Sequence, residues 1–274
     1  TIQFWQVMSD PVMGAIPFFL LMGYLLEGAG LMDRLFRSFQ LLLARLPGSL
    51  YGAISLTGTI FAAATGIVGS SVNLLCIMAE PSMRRSGYDI RMGAGCIAAA
   101  GTLGILIPPS IMLVVLGPIM GLPITDLFAA AILPGLLLAG IYVAYSLIKC
   151  AIWPQYGPPL PKEEHAASMA LVLKELLIGA VPLAILIFST LGSILCGIAT
   201  PTEASACGAF GALALVIVYR KFTWKGLAKA LHSTILLSSM ILIMIASCNF
   251  FGSVFSRLGG AVALSNALLG MDIA

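Results

Sequence analysis

Charge is the scarcest thing in this chain. Of its 274 residues, 9% are Asp, Glu, Lys or Arg, where a soluble domain carries about 25%. So few charges cannot clothe a water-soluble surface, and most of the exterior must face lipid. The start, Thr1-Ile2-Gln3-Phe4, has neither an initiator Met nor a basic n-region, so no secretory signal is visible and the chain reads as beginning inside a longer protein. Histidine is nearly absent, and His165 and His232 stand too far apart to suggest a metal site. The six cysteines, Cys76, Cys96, Cys150, Cys196, Cys207 and Cys248, form no CxxC pair and no Cys/His metal spacing; they read as small buried hydrophobes. A GxxxxGK(S/T) phosphate loop is missing, which excludes ATP hydrolysis by that route. HExxH and GxSxG are missing too, so an intramembrane hydrolase, or any enzyme, is a poor reading. Nothing points to a nucleic-acid partner.

What is present is apolar: 60% of residues are hydrophobic and the mean hydropathy is +1.06. A helical span needs roughly 20 apolar residues. Backbone groups in lipid must be satisfied internally, leaving helices or a closed barrel. Barrel strands alternate with period 2, and runs such as Ile132–Ala144 and Leu183–Leu191 do not. The expected fold is an all-α polytopic membrane protein.

Lys and Arg of short loops concentrate on the cytoplasmic side, which sets the topology. Pro11–Gly30 is a first apolar run. Leu31–Leu46 mixes Arg34, Arg37 and Arg45 with Leu35, Phe36, Phe39, Leu42 and Leu43, which predicts an amphipathic helix along the interface. Leu50–Met83 is too short for two crossings and is flanked by Arg45 on one side and Arg84 and Arg85 on the other. A re-entrant hairpin with its tip inside the membrane fits, with an interruption over Thr65–Asn73. Met92–Met120 is expected to be broken over Gly101–Ser110, because Pro108-Pro109 removes amide donors and disfavours helix in the preceding residue. Asp126–Ile148 returns to Lys149, Ala151–Ser168 forms a cytoplasmic loop, Leu171–Ile198 and Ala204–Val218 cross, and Thr234–Val254 leads out to Arg257. Every basic residue but Arg257 then falls on one side. Ile16–Arg37 and Met240–Leu268 also echo one another in opposite orientations, as an inverted repeat requires.

The two interruptions carry the chemistry. Carbonyls and helix ends exposed at such breaks coordinate Na⁺, and the N-termini of half-helices favour anions. Thr65, Ser70, Ser71, Asn73 and Thr102 offer neutral oxygens, while Gly66, Gly69, Gly101 and Gly104 free the backbone. The competing reading of these small residues is close helix packing. Glu27 and Glu80 lie near segment ends, within reach of the interface. Glu203 follows Pro201-Thr202, where a carboxylate caps the next helix.

Three stretches in order, FAAATGIVGSSVNLLCIMAEPSMRRSGYD (Phe61–Asp89), AAAGTLGILIPPS (Ala98–Ser110) and GIATPTEASACGA (Gly197–Ala209), resemble the large membrane subunit of tripartite ATP-independent periplasmic (TRAP) transporters. AIPFFLLMG (Ala15–Gly23), LPGLLLAG (Leu133–Gly140) and TWKGLAKAL (Thr223–Leu231) are similar as well. The tip here reads TGIVGSS where many members have an SGS-type tip. The resemblance implies an elevator-type inverted-repeat carrier in the bacterial inner membrane, driven by Na⁺ rather than ATP. It implies import of small carboxylates delivered by a periplasmic binding protein, with a small membrane subunit as partner. Carried onto this chain, it puts substrate at Ser70, Ser71, Asn73, Pro109 and Ser110, and Na⁺ at Thr65, Gly66, Gly69, Ser70, Gly101, Thr102 and Gly104. Residues 1–48 would be a scaffold helix and arm, 49–121 the hairpin and broken helix, 122–232 connecting helices with a loop at 150–168, and 233–274 the start of the second repeat. Members of the family have further spans on both sides of this stretch, including a second hairpin. The alternatives are a single-component Na⁺/dicarboxylate carrier of related fold, against which the PTEAS and GYD motifs argue, and a membrane scaffold subunit with no use for polar gaps.

Overall fold

A computed structural model describes residues 5, 8–44, 46–159 and 169–269; Arg45 and the Lys162–His165 part of the expected loop lie outside them. After a 3-10 turn at Pro11–Gly14 come eleven α-helices: α1 Ala15–Gly28, α2 Leu31–Leu43, α3 Ser49–Thr65, α4 Val68–Arg85, α5 Ile90–Leu106, α6 Ile111–Met120, α7 Ile124–Ile152, α8 Met169–Leu195, α9 Pro201–Val218, α10 Trp224–Arg257 and α11 Gly260–Leu269. Among the described residues there is no strand. Among the described residues, five helical segments are long and apolar enough to cross a membrane: Pro11–Gly28, Ile124–Ile152, Leu173–Leu195, Pro201–Val218 and Trp224–Arg257. A sixth crossing is available to α5 and α6 taken together, bent by 44°.

Helix α1 lies at the centre. It packs mainly on α9, and also on α10 and α3, through fully buried Ile16, Phe19, Leu20 and Leu26. The pair α1 and α9 runs parallel, start beside start and end beside end. Thr202 Oγ1 donates to the Pro11 carbonyl at one end (2.9 Å). Arg34, Glu175 and Tyr219 gather near the other, with Arg34 3.9 Å from Glu175 and 5.8 Å from the Tyr219 ring. Helix α9 starts on a reciprocal cap: Glu203 accepts from the Thr200 amide (2.8 Å) and the Thr200 hydroxyl accepts from the Glu203 amide (3.3 Å). Glu203 therefore does the capping work expected of it.

Helix α2 is amphipathic as expected, burying Leu31, Met32, Leu35, Phe36 and Phe39 and exposing Asp33, Arg34 and Arg37. Its apolar stripe, though, is covered by α3 and α8 rather than left to lipid. The expected span at Thr234–Val254 is also lengthened: α10 begins ten residues earlier at Trp224, because Thr223 caps the Gly226 amide (3.1 Å) and nothing in Lys225–His232 breaks a helix. At 34 residues it is about 50 Å long, well beyond the hydrocarbon thickness. The sequence echo has a backbone counterpart. Gly30 (φ 68°) joins α1 to α2 and Gly259 (φ 76°) joins α10 to α11, both in the left-handed region that costs glycine nothing.

Candidate functional site

Helices α3 and α4 double back on one another. Their far ends meet where Ser49 Oγ lies 3.1 Å from the Tyr88 hydroxyl, with the Leu50 amide donating to that oxygen (3.4 Å). Tyr51 donates to two carbonyls, Asp89 (3.0 Å) and Tyr156 (2.9 Å), and its ring meets Tyr88 edge-on at 5.0 Å. Burial pushes the Tyr88 phenol above its ordinary range, opposed by its hydrogen bonds to Ser49 and Leu50. Gly48 donates to the Gly157 carbonyl (2.9 Å), so the base of the hairpin is tied to the end of α7. Helix α3 has 17 residues and is about 25 Å long, less than the roughly 30 Å of a bilayer's hydrocarbon core. With α4 it forms a helical hairpin.

At the tip, Gly66 (φ 62°) ends α3, its amide returning to the Ala62 carbonyl (2.9 Å). The left-handed backbone and the tight fit both demand glycine there: a Cβ at Gly66 would lie 3.2 Å from the Pro109 carbonyl oxygen and 3.4 Å from the Ile111 amide nitrogen. The hairpin tip thus touches the break between α5 and α6, where the Pro108-Pro109 peptide is cis. Two half-helices begin at this meeting point, and neither has a side-chain cap. Ile67, before α4, has no polar group, and Ser110, before α6, turns its hydroxyl back to the Ile105 carbonyl (2.6 Å). Their first amides are left for another partner, and the positive ends of both dipoles point the same way chemically, toward an anion.

Oxygen donors cluster beside them. Thr65 Oγ1 and Ser71 Oγ are 3.2 Å apart, the former also donating to Phe61 O (3.0 Å) and the latter to Ile67 O (2.8 Å). Both are buried. Ser70 donates its hydroxyl to the Glu27 carboxylate of α1. Among the described residues no group of three His, Cys, Asp or Glu could hold a metal; the donors gathered here are hydroxyls, carbonyls and one carboxylate, oxygens of the kind a hard cation takes.

The structure brings Thr65, Gly66, Ser70, Ser71, Pro109 and Ser110 into one neighbourhood. Gly69 stays beside them in the first turn of α4, while Asn73, Gly101, Thr102 and Gly104 lie in continuous helix, because both interruptions are shorter than their sequences suggest. The first is confined to Gly66-Ile67 and α4 resumes at Val68, so Gly69 and Asn73 lie on exposed helical faces. The second is Ile107–Ser110, and α5 runs intact through Gly101, Thr102 and Gly104. Proline at 108 disturbs the residue before it and its own turn, not the helix six residues back. Gly101 and Gly104 lie against α4 and α3: a Cβ at Gly101 would sit 3.3 Å from the Val72 amide nitrogen, and one at Gly104 would sit 3.4 Å from Ala62. Thr102 is exposed and donates to Ala99 O of its own helix (2.7 Å). Sequence reasoning set Glu27 aside as lying near a segment end and gave Gly23 no role of its own. Their spacing of four in an apolar helix, one turn on the same face, was the available signal.

Comparison with known proteins agrees with the motifs. The sequence profile of the family described as "Tripartite ATP-independent periplasmic transporter, DctM component" matches residues 1–273. An uncharacterised protein, YgiK, of Salmonella typhimurium is 31% identical over 232 residues, 84% of this chain and 52% of its own length. The C4-dicarboxylate TRAP transporter large permease protein DctM of Pseudomonas aeruginosa is 33% identical over 259 residues, 93% of this chain and 58% of its own. The sialic acid TRAP transporter large permease protein SiaM of Vibrio cholerae is 30% identical over 245 residues, covering 89% and 56%. The chain spans between half and two thirds of the length of these relatives.

Proposed function

The chain belongs to the DctM-component family of tripartite ATP-independent periplasmic transporters, and from that premise we propose that it forms the first hairpin-bearing part of a Na⁺-coupled permease subunit importing small organic acids. The observation that carries this reading is the contact of Gly66 with Pro109 and Ile111. It sets two uncapped half-helix N-termini beside a cluster of hydroxyls, which suits a carboxylate and a cation bound side by side. Two similar proteins are named for C4-dicarboxylates and for sialic acid, and both cargoes carry a carboxylate.

In this reading Thr65, Ser70 and Ser71 supply side-chain oxygens to Na⁺, and the amides opening α4 and α6 receive the cargo carboxylate. The hairpin and broken helix move as a unit past a scaffold built around α1 and α9, as in an elevator. The subunit sits in the bacterial inner membrane beside a small membrane subunit and takes cargo from a periplasmic binding protein. The Tyr51 and Tyr88 clasp keeps the hairpin base in register while the tip is loaded and emptied.

The test uses full-length protein in liposomes. Ser70→Ala should abolish most Na⁺ stimulation of uptake, whereas Thr102→Ala, whose hydroxyl serves its own helix, should keep it. Unchanged Na⁺ stimulation in Ser70→Ala removes the cation assignment. Uptake that proceeds equally well without a binding protein sinks the tripartite reading and favours a single-component carrier.

A further inference from the structure

Gly23 and Glu27 lie one turn apart on the same face of α1, and both meet the hairpin tip. At Gly23 the fit is close: a Cβ would stand 2.9 Å from the Thr65 carbonyl oxygen and 3.2 Å from Ile67 Cδ1. One turn on, the Glu27 carboxylate accepts the Ser70 hydroxyl. The face of α1 thus offers the tip a recess and then an acceptor.

Glu27 is an ionisable group in an otherwise apolar helix, half-buried. Among the described residues, the ion pairs found are Arg34 with Glu175 and Arg84 with Glu80, and neither includes it. Lys221 lines the cleft beside Tyr24 and Gly28 without closing on the carboxylate. A carboxylate kept in such a place calls for a role. Ser70 stands in the first turn of α4, where the helix dipole also favours negative charge. That is the environment the cargo carboxylate would seek. A serine hydroxyl has one proton to give and two carboxylates crowded onto it repel each other, so Ser70 serves Glu27 or a cargo carboxylate, but not both.

We propose that Glu27 is a tethered stand-in for the cargo carboxylate: it latches the empty hairpin tip onto α1 through Ser70, and a bound carboxylate releases the tip by taking that donor. Docking on α1 and loading at Ser70 are then mutually exclusive. The proposal rests on the reading of the tip as the loaded end of a carrier, but its chemistry needs only Glu27, Ser70 and the recess at Gly23.

The test is hydrogen exchange on the full-length protein, in buffer free of Na⁺ and of carboxylates. Glu27→Ala should speed exchange of the amides of residues 66–72 by about tenfold or more, the loss expected for a hydrogen bond to a charged acceptor. Ser70→Ala should do the same, and the double variant should add nothing further. Peptides from α7 should be unchanged in all three, which shows the fold intact. Should Glu27→Ala loosen α7 as well, Glu27→Gln, with the same size and no charge, carries the comparison. Tip exchange that is unchanged in the Glu27 variants, or effects that add in the double variant, overturns the latch. A wild-type tip that ignores added Na⁺ would instead fail the cation assignment and leave the latch standing.

Discussion

The two ends of the hairpin are built on opposite principles. At the base, directional side-chain bonds converge: Tyr51 reaches two carbonyls, Tyr88 takes Ser49 and the Leu50 amide, and Gly48 is tied to Gly157. At the tip, contact is made by absence of a side chain, with Gly66 against Pro109 and Gly23 against Thr65, and one exchangeable hydroxyl reaches another element. The difference separates holding from exchanging. Bonds that converge on a base fix geometry, whereas a bare backbone with spare amides can accept and give up a partner.

Each end of the hairpin can be disturbed without touching the other. The largest effect is expected from Gly66→Val. The left-handed backbone costs a non-glycine residue about 1–2 kcal/mol, β-branching adds to it, and the new Cβ would crowd the Pro109 carbonyl 3.2 Å away. Uptake by the full-length protein should be lost while the base stays protected from hydrogen exchange; loss of protection at the base would show that the two ends are not separate. Next in size is Tyr51→Phe, which leaves the Asp89 and Tyr156 carbonyls without this donor at a cost of about 1–3 kcal/mol. It should lower the thermal midpoint and speed exchange around residues 88–92, with the tip amides unaffected. The smallest effect is expected midway between the ends. Thr57 Oγ1 is buried in α3 with no hydrogen-bond partner, so Thr57→Val should leave stability unchanged or raise it by up to about 1 kcal/mol, readable as a small rise in the same midpoint. A clear loss would mean that the hydroxyl has a partner in the assembled protein.

The parts legible in the sequence were those written locally. Long apolar runs gave the spans, short length with basic flanks gave the hairpin, and Thr200-Pro201-Thr202-Glu203 gave the cap of α9. Small residues misled where they served packing. Gly101 and Gly104 looked like a broken helix but lie against Val72 and Ala62, because a glycine that frees a backbone and one that admits a neighbour read alike. The same ambiguity widened the tip, where Val68 to Asn73 are helical. Glu27 was out of reach for a different reason. Its partner lies 43 positions away, and no periodicity along one helix can announce a contact made by the folding of another onto it.

Tyr51 also sets an order of events. Its hydroxyl binds one carbonyl 38 positions downstream and another 105 positions downstream. The second acceptor, at Tyr156, follows α7 in the chain. During synthesis the hairpin can therefore form early, but its base cannot be finished until α7 has been made and its far end has come back to the same side of the bilayer. One phenol makes completion of the hairpin base wait for the end of α7.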